Sequence, residues 1–212
     1  MELPTTSTVT TCRVEHLLIS FFINKSSRKK NLYFYHLKPN PFEGTKLIPL
    51  NQMDRESEIY KTHASKYLGR EDLRDELIPV LNCKWNDVVQ FSALDPQLIV
   101  NELKKHQHGL KLIRREYFKV HINEIISKHQ AVIFDRDPSR GKGSFKIYDK
   151  EIRPLNSENY KELKEVPRKT IEYWHKVKSE VGKFLWFPFV THIMVKGIIE
   201  TENFETCELH LD

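Results

Sequence analysis

The chain lacks most of the short signatures that announce a chemistry. Its three cysteines, Cys12, Cys83 and Cys207, are odd in number and widely separated, with no CxxC pair, and this argues for a reduced, cytoplasmic setting. No HExxH and no zinc-finger spacing is present, so no metal is expected. His106 and His108 form an HxH at the end of a predicted helix, where the two side chains point about 200° apart and cannot share an ion; an extended segment completed by His121 or His129 is the weaker alternative. No GxGxxG follows a strand-like run, and Gly141-Lys142-Gly143-Ser144 has neither the length nor the lysine placement of a phosphate-cradling loop, which excludes Rossmann and kinase-type sites. A GxSxG nucleophile elbow is absent too. The longest early apolar run, Leu17 to Ile23, is broken by Ser20 and falls short of the roughly 18 residues of a membrane span, and the N-terminus has no charged region before it, so no membrane association or secretion is expected.

What is present is a core. In 212 residues the chain carries 39% hydrophobic side chains, with 12 Phe, 8 Tyr and 3 Trp, enough apolar surface to offset the entropy of ordering. Length predicts one domain over 1–212. The net charge of +5 is modest, from 34 basic against 29 acidic residues, so local runs matter more. Lys25, Arg28, Lys29 and Lys30 cluster in six residues and would suit nucleic acid or an acidic protein, while a solvated loop is the commoner account of such a run.

Periodicity organises the chain. Residues 12–23 are apolar on every face and do not choose between helix and strand. YFYHL at 33–37 alternates as a strand, with Leu32, Phe34 and His36 on one side and Tyr33, Tyr35 and Leu37 on the other. PNPFEGTKLIPL reads as an extended loop. A helix capped by Asp54 and stopped by Gly69 is predicted next, followed by a short helix over REDLRDEL. WNDVVQFSAL is strand-like, and Asp95-Pro96 starts a helix reaching about His106 with Leu98, Ile99 and Leu103 inward. EYFKVHI, AVIFD and SFKIYD read as strands, and Pro167 opens a helix striped by Ile171, Trp174, Val177 and Val181. FVTHIMVKGIIET is apolar on both faces, as a central strand is. Helices separate only some of the strands, so the predicted class is α+β, a central mixed or antiparallel sheet holding 32–37, 88–93, 116–122 and 189–199.

Three stretches stand in a suggestive order: FYHL then FEGTKLIPL, VVQFSAL then a helix, and THIMVKGII near the end. In this the chain resembles the ADP-ribosyltransferase superfamily, particularly its rifamycin-modifying and DNA-modifying branches. The resemblance implies an ADP-ribosyltransferase-like fold, NAD as substrate, transfer to a nucleic-acid or protein acceptor, and a toxin- or defence-like role. It aligns Tyr35 and His36 with the first motif, whose histidine holds the nicotinamide-side ribose, and Phe91 and Ser92 with the second, whose strand lies beside the nicotinamide. At the third, His192 stands where the family carries a glutamate. On this reading His192 and Ser92 are the catalytic candidates.

Independently of the resemblance, YKTHASKYLGRED sets Tyr60, His63 and Tyr67 on one helix face, with Lys66 and Arg70 at its end and Asn86 and Asp87 at the mouth of the middle strand. Arg70, Tyr67 and Asn86 are the candidates for a pyrophosphate and amide grip; a helix packing through its aromatics is the plainer account. Two other functions stay open. One is a non-catalytic module that binds nucleic acid or protein, favoured by the missing glutamate. The other is a metal-dependent nuclease using Asp135, Asp137, Asp149, Lys150 and Glu151.

Overall fold

Alternating apolar residues need a partner surface on each side, and most strands of this chain find one in a single sheet. The computed structural model describes residues 31–106, 115–137, 139, 146–179 and 185–210. The chain divides after Lys30, and every described residue belongs to Asn31–Asp212. The ambiguous segment 12–23, the basic run from Lys25 to Lys30, His108, Val181 and Gly141 to Ser144 lie outside the described residues.

In chain order the elements are β1 (Tyr33–Leu37), β2 (Lys46–Leu47), α1 (Glu58–Ser65), β3 (Leu77–Ile78), β4 (Cys83–Lys84), β5 (Val88–Ser92), α2 (Pro96–Lys105), β6 (Glu116–His121), α3 (Asn123–Ile126), β7 (Ala131–Phe134), β8 (Ile152–Pro154), α4 (Arg168–Ser179), β9 (His192–Lys196), β10 (Ile199–Glu200) and β11 (Glu205–Glu208). Seven strands form one sheet in the order β11-β6-β1-β5-β9-β7-β8, and every pairing within it is antiparallel. This is an α+β architecture. The strand expected at the centre is there: β9 pairs with β5 on one side and β7 on the other. It ends at Gly197, whose φ of +85° turns the chain out of the sheet, so that Ile199–Glu200 pairs with β2 instead.

Side-chain parity divides the sheet into two faces. Phe34, Phe91, Phe118, Val120, Ile133, Ile193 and Val195 bury one face together with Leu47, Tyr160 and Ile199. The opposite face has two patches, Val88, Val132 and Met194 with Ile78 and Leu81, and Tyr35 and Tyr117 with Val100 and Leu209. Helices α2 and α4 pack around Leu94 through Ile99, Leu103 and the fully buried Trp174. Loss of that indole would cost about 3–5 kcal/mol.

Several predicted boundaries shift. Helix α1 is capped by Ser57, whose hydroxyl accepts from Tyr60 N at 3.1 Å, while Asp54 makes an earlier turn by accepting from Glu56 N. REDLRDEL forms the tighter 3₁₀ turn Glu71–Asp75, and Trp85–Asp87 is a 3₁₀ turn preceding β5 rather than part of it. The proline-rich loop contains β2 and a 3₁₀ turn, Leu50–Gln52. Lys146 to Tyr148 of the expected SFKIYD strand are not in a strand; the pairing with β7 comes from Ile152–Pro154, because Glu151 folds Tyr148 N onto its own carboxylate and starts the strand later. Asp95 caps α2 as predicted, accepting from Gln97 N at 2.8 Å ahead of Pro96.

Candidate functional site at the divergence of β1 and β5

β1 pairs with β6 over five residues but meets β5 at one register pair, Tyr35 with Ser92. Away from that pair the two strands diverge, and the backbone groups left over must find other partners. On one side the His36 ring supplies one, its Nδ1 donating to the Gln90 carbonyl at 2.8 Å. On the other, the segment 160–163 bridges the strands: Glu162 accepts from Tyr35 OH at 2.9 Å and from Tyr33 N at 3.4 Å, the Tyr160 hydroxyl donates to Tyr33 O, and Leu163 N donates to Ala93 O at 2.8 Å.

The bond to Gln90 fixes the tautomer of His36. With the proton on Nδ1, Nε2 carries a lone pair, and no partner for it is found among the described residues. Burial lowers the ring's pKa to about 4; the Gln90 carbonyl opposes this and the Lys66 ammonium reinforces it. His63 on α1 is lowered to about 4 as well, by burial, then by Lys66, then by His36. Lys66 Nζ lies 3.3 Å from His63 Nδ1. The strand and the end of α1 thus bring together two neutral imidazoles and one ammonium. That set accepts a hydroxyl proton at His36 and favours a negative charge beside Lys66.

The other sequence candidates scatter. Phe91 shares the face of His36, with ring centroids 5.3 Å apart, but it is fully buried and offers no surface for stacking. Tyr35, Ser92 and His192 lie on the opposite face, Ser92 in register between the other two. The sheet therefore separates His36 from His192. The Ser92 hydroxyl is engaged with its own chain, donating to Leu94 O at 2.8 Å and accepting from Leu94 N at 2.9 Å. His192 Nδ1 donates to Val190 O at 2.7 Å; burial lowers its pKa, against the pull of that carbonyl and of Asp135. Asn86 is buried at 2% exposure, and both its amide atoms lack a hydrogen-bond partner among the described residues. An unsatisfied buried amide of this kind costs about 1–3 kcal/mol.

Beyond α1, the chain turns at Gly69, with φ of +77°, and runs back along Glu71–Asp75. The turn leaves a shallow hollow of about 300 Å³ lined by Tyr60, Ala64, Tyr67, Leu68, Glu71 and Arg74, among others. Tyr67 OH accepts from Trp85 Nε1 at 3.1 Å, and Arg74 Nη2 donates to Tyr60 OH at 3.0 Å. Arg70 spends Nε and Nη2 on the Lys66 carbonyl and lies 5.7 Å from the Tyr67 ring. Sequence reasoning found Tyr60, Tyr67 and Arg70 but missed Arg74 and Leu68. The signal available was Arg74 four residues after Arg70.

Three of the four carboxylates considered for a nuclease are occupied. Asp135 pairs with Arg153 and accepts from Thr191, Asp137 pairs with Lys150 at 2.6 Å, and Glu151 accepts from Asp137 N at 2.7 Å. Among the described residues no group of three or more His, Cys, Asp or Glu is arranged to hold a metal ion, and no helix is long and apolar enough to cross a membrane. Compared with family models, curated proteins and solved structures, the chain finds no match in any of the three.

Proposed function

We propose that the protein binds NAD where β1 and β5 diverge and transfers its ADP-ribose to a nucleic-acid or protein acceptor, on an ADP-ribosyltransferase-like version of its α+β fold. The observation that carries this reading is the state of His36: a neutral ring, oriented by the Gln90 carbonyl, with an acceptor lone pair at Nε2 and the Lys66 ammonium nearby. A ribose hydroxyl donates to such an atom, and a pyrophosphate suits the adjacent cation. In the reaction the bond between ribose and nicotinamide breaks, nicotinamide leaves with the electron pair, and the acceptor's nucleophile bonds to the ribose carbon and gives up its proton. Arg70 is the second cation within this reading.

Titration calorimetry with NAD tests it. Wild-type protein should bind, and His36→Ala should weaken binding by about 1.5–3 kcal/mol, the range for a hydrogen bond to a well-placed polar or charged group. Nicotinamide should appear when acceptor is added. Absence of binding at millimolar NAD ends the proposal.

A specific observation favours a second reading, a binding module without catalysis: His192 stands where a glutamate is expected and lies on the other face of the sheet from His36. NAD binding with no nicotinamide release would select it. If the module holds nucleic acid through Lys25, Arg28, Lys29 and Lys30, affinity should fall with salt at a log–log slope near 0.9 per phosphate contacted, and Lys29→Glu with Lys30→Glu should weaken binding to every sequence.

A further inference from the structure

Between β1 and α1 two histidines are held in opposite tautomers. A carbonyl only accepts, so the 2.8 Å contact with Gln90 O puts the proton of His36 on Nδ1 and leaves Nε2 with a lone pair. An ammonium only donates, so the 3.3 Å contact with Lys66 Nζ makes Nδ1 of His63 the acceptor and puts its proton on Nε2. Burial keeps both rings neutral and Lys66 adds to this in each, so neither gains the second proton that would erase the difference. His63 also feels His36, which places the two rings and the ammonium in one cluster. His63 and Lys66, one turn apart at the end of α1, share a face of the helix. Neither Nε2 has a hydrogen-bond partner among the described residues. The cluster therefore offers one acceptor, one donor and one positive charge.

We infer that His63 is the second sugar-binding residue of this site: one ribose hydroxyl donates to His36 Nε2, its vicinal neighbour accepts from His63 Nε2, and a phosphate of the same ligand lies beside Lys66. The inference deepens the NAD reading and rests on it for the identity of the ligand. Opposite tautomers select by chemistry. A carboxylate or phosphate oxygen accepts only and would set its lone pairs against that of His36, while an ammonium donates only and would meet both the N–H of His63 and the charge of Lys66. A hydroxyl takes either role, and two on adjacent carbons serve rings on two elements at once. A carboxamide also has both roles but brings no charge to match Lys66. Removing one hydroxyl leaves a ring nitrogen of a partly buried histidine without its partner, so the site rejects a deoxysugar.

Nitrogen-15 spectra of the imidazoles in the full chain test the tautomers directly. His36 should carry its proton on Nδ1 and His63 on Nε2; the same tautomer in both rings would overturn the inference. Calorimetry then compares NAD with the analogue whose nicotinamide-side ribose lacks its 2′-hydroxyl, which should bind wild type at least about tenfold more weakly. His63→Leu should weaken NAD by a similar factor and bind the two ligands within about twofold of each other, whereas His63→Gln, which keeps a donor, should restore most of the discrimination. Undiminished discrimination in His63→Leu, none in wild type, or nicotinamide binding as tightly as NAD would each sink the assignment. Ribose 5-phosphate and 2-deoxyribose 5-phosphate separate it from the NAD reading. A preference for the first in a protein that does not bind NAD would end the NAD reading and leave the diol site standing; equal binding of the two, or none, would end both.

Discussion

His36 and His63 are two imidazoles whose folded pKa of about 4 lies well below the ordinary 6.5. A histidine with a depressed folded pKa binds protons more readily when the chain is unfolded, so it contributes stability above the unfolded value and loses it as the pH falls towards the folded one. Stability should therefore decline between about pH 6.5 and pH 4, by on the order of 2 kcal/mol per ring once solvent screening is allowed for. His36→Gln retains a donor for the Gln90 carbonyl and removes the titration, so urea midpoints measured across that range should fall less steeply in the variant. Equal slopes would mean that the ring is not held neutral. The face on which His36 lies was legible from alternation alone. Its bond to Gln90 was not, because nothing in either strand announces that the two pair at one position only. Asn86 was singled out for its place before β5; that its amide would be buried without a partner depends on chain packed over it from Leu50–Gln52 and Glu71–Asp75, which no local pattern encodes.

Elements announced by local chemistry were read best. The Asp95-Pro96 start of α2 is an example, since cap and first turn are fixed by adjacent residues. The start of α1 was placed too early because both Asp54 and Ser57 are good caps, and the side-chain turn at Asp54 used up the first of them. Least legible was the segment 160–163, which has no regular structure yet bonds to both β1 and the end of β5. The buried Tyr35 carries the main link: its phenol pKa is pushed above the ordinary range by burial first and by the bond to Glu162 next. Tyr35→Phe should cost about 1.5–3 kcal/mol in a denaturant melt, the range for a hydrogen bond to a charged group. Glu162→Gln keeps an acceptor and should cost less. If Tyr35→Phe melts like wild type, the segment is held by Tyr160 and Leu163 instead.

At the scale of the molecule, the α+β class and the central position of β9 followed from strand patterning, whereas strand order did not, because antiparallel neighbours far apart in sequence are chosen by complementarity of whole faces. That order has a consequence for how the protein opens. The three-stranded group β11-β6-β1 and the four-stranded group β5-β9-β7-β8 are joined through the backbone at the Tyr35 and Ser92 pair alone, and the first group also ends on the exposed strand β11. They should behave as two cooperative units in native-state amide exchange, the β6 amides becoming accessible to deuterium at a lower free energy and lower urea concentration than those of β9, because the outer neighbour of β6 is the exposed edge strand β11 whereas β9 lies between β5 and β7 with β8 beyond. A single opening energy shared by Phe118 and Ile193 would mean that the side chains packed across the divergence bind the halves into one unit. Two energies would mean that the gap beside His36 is a boundary along which the native protein comes apart before it unfolds.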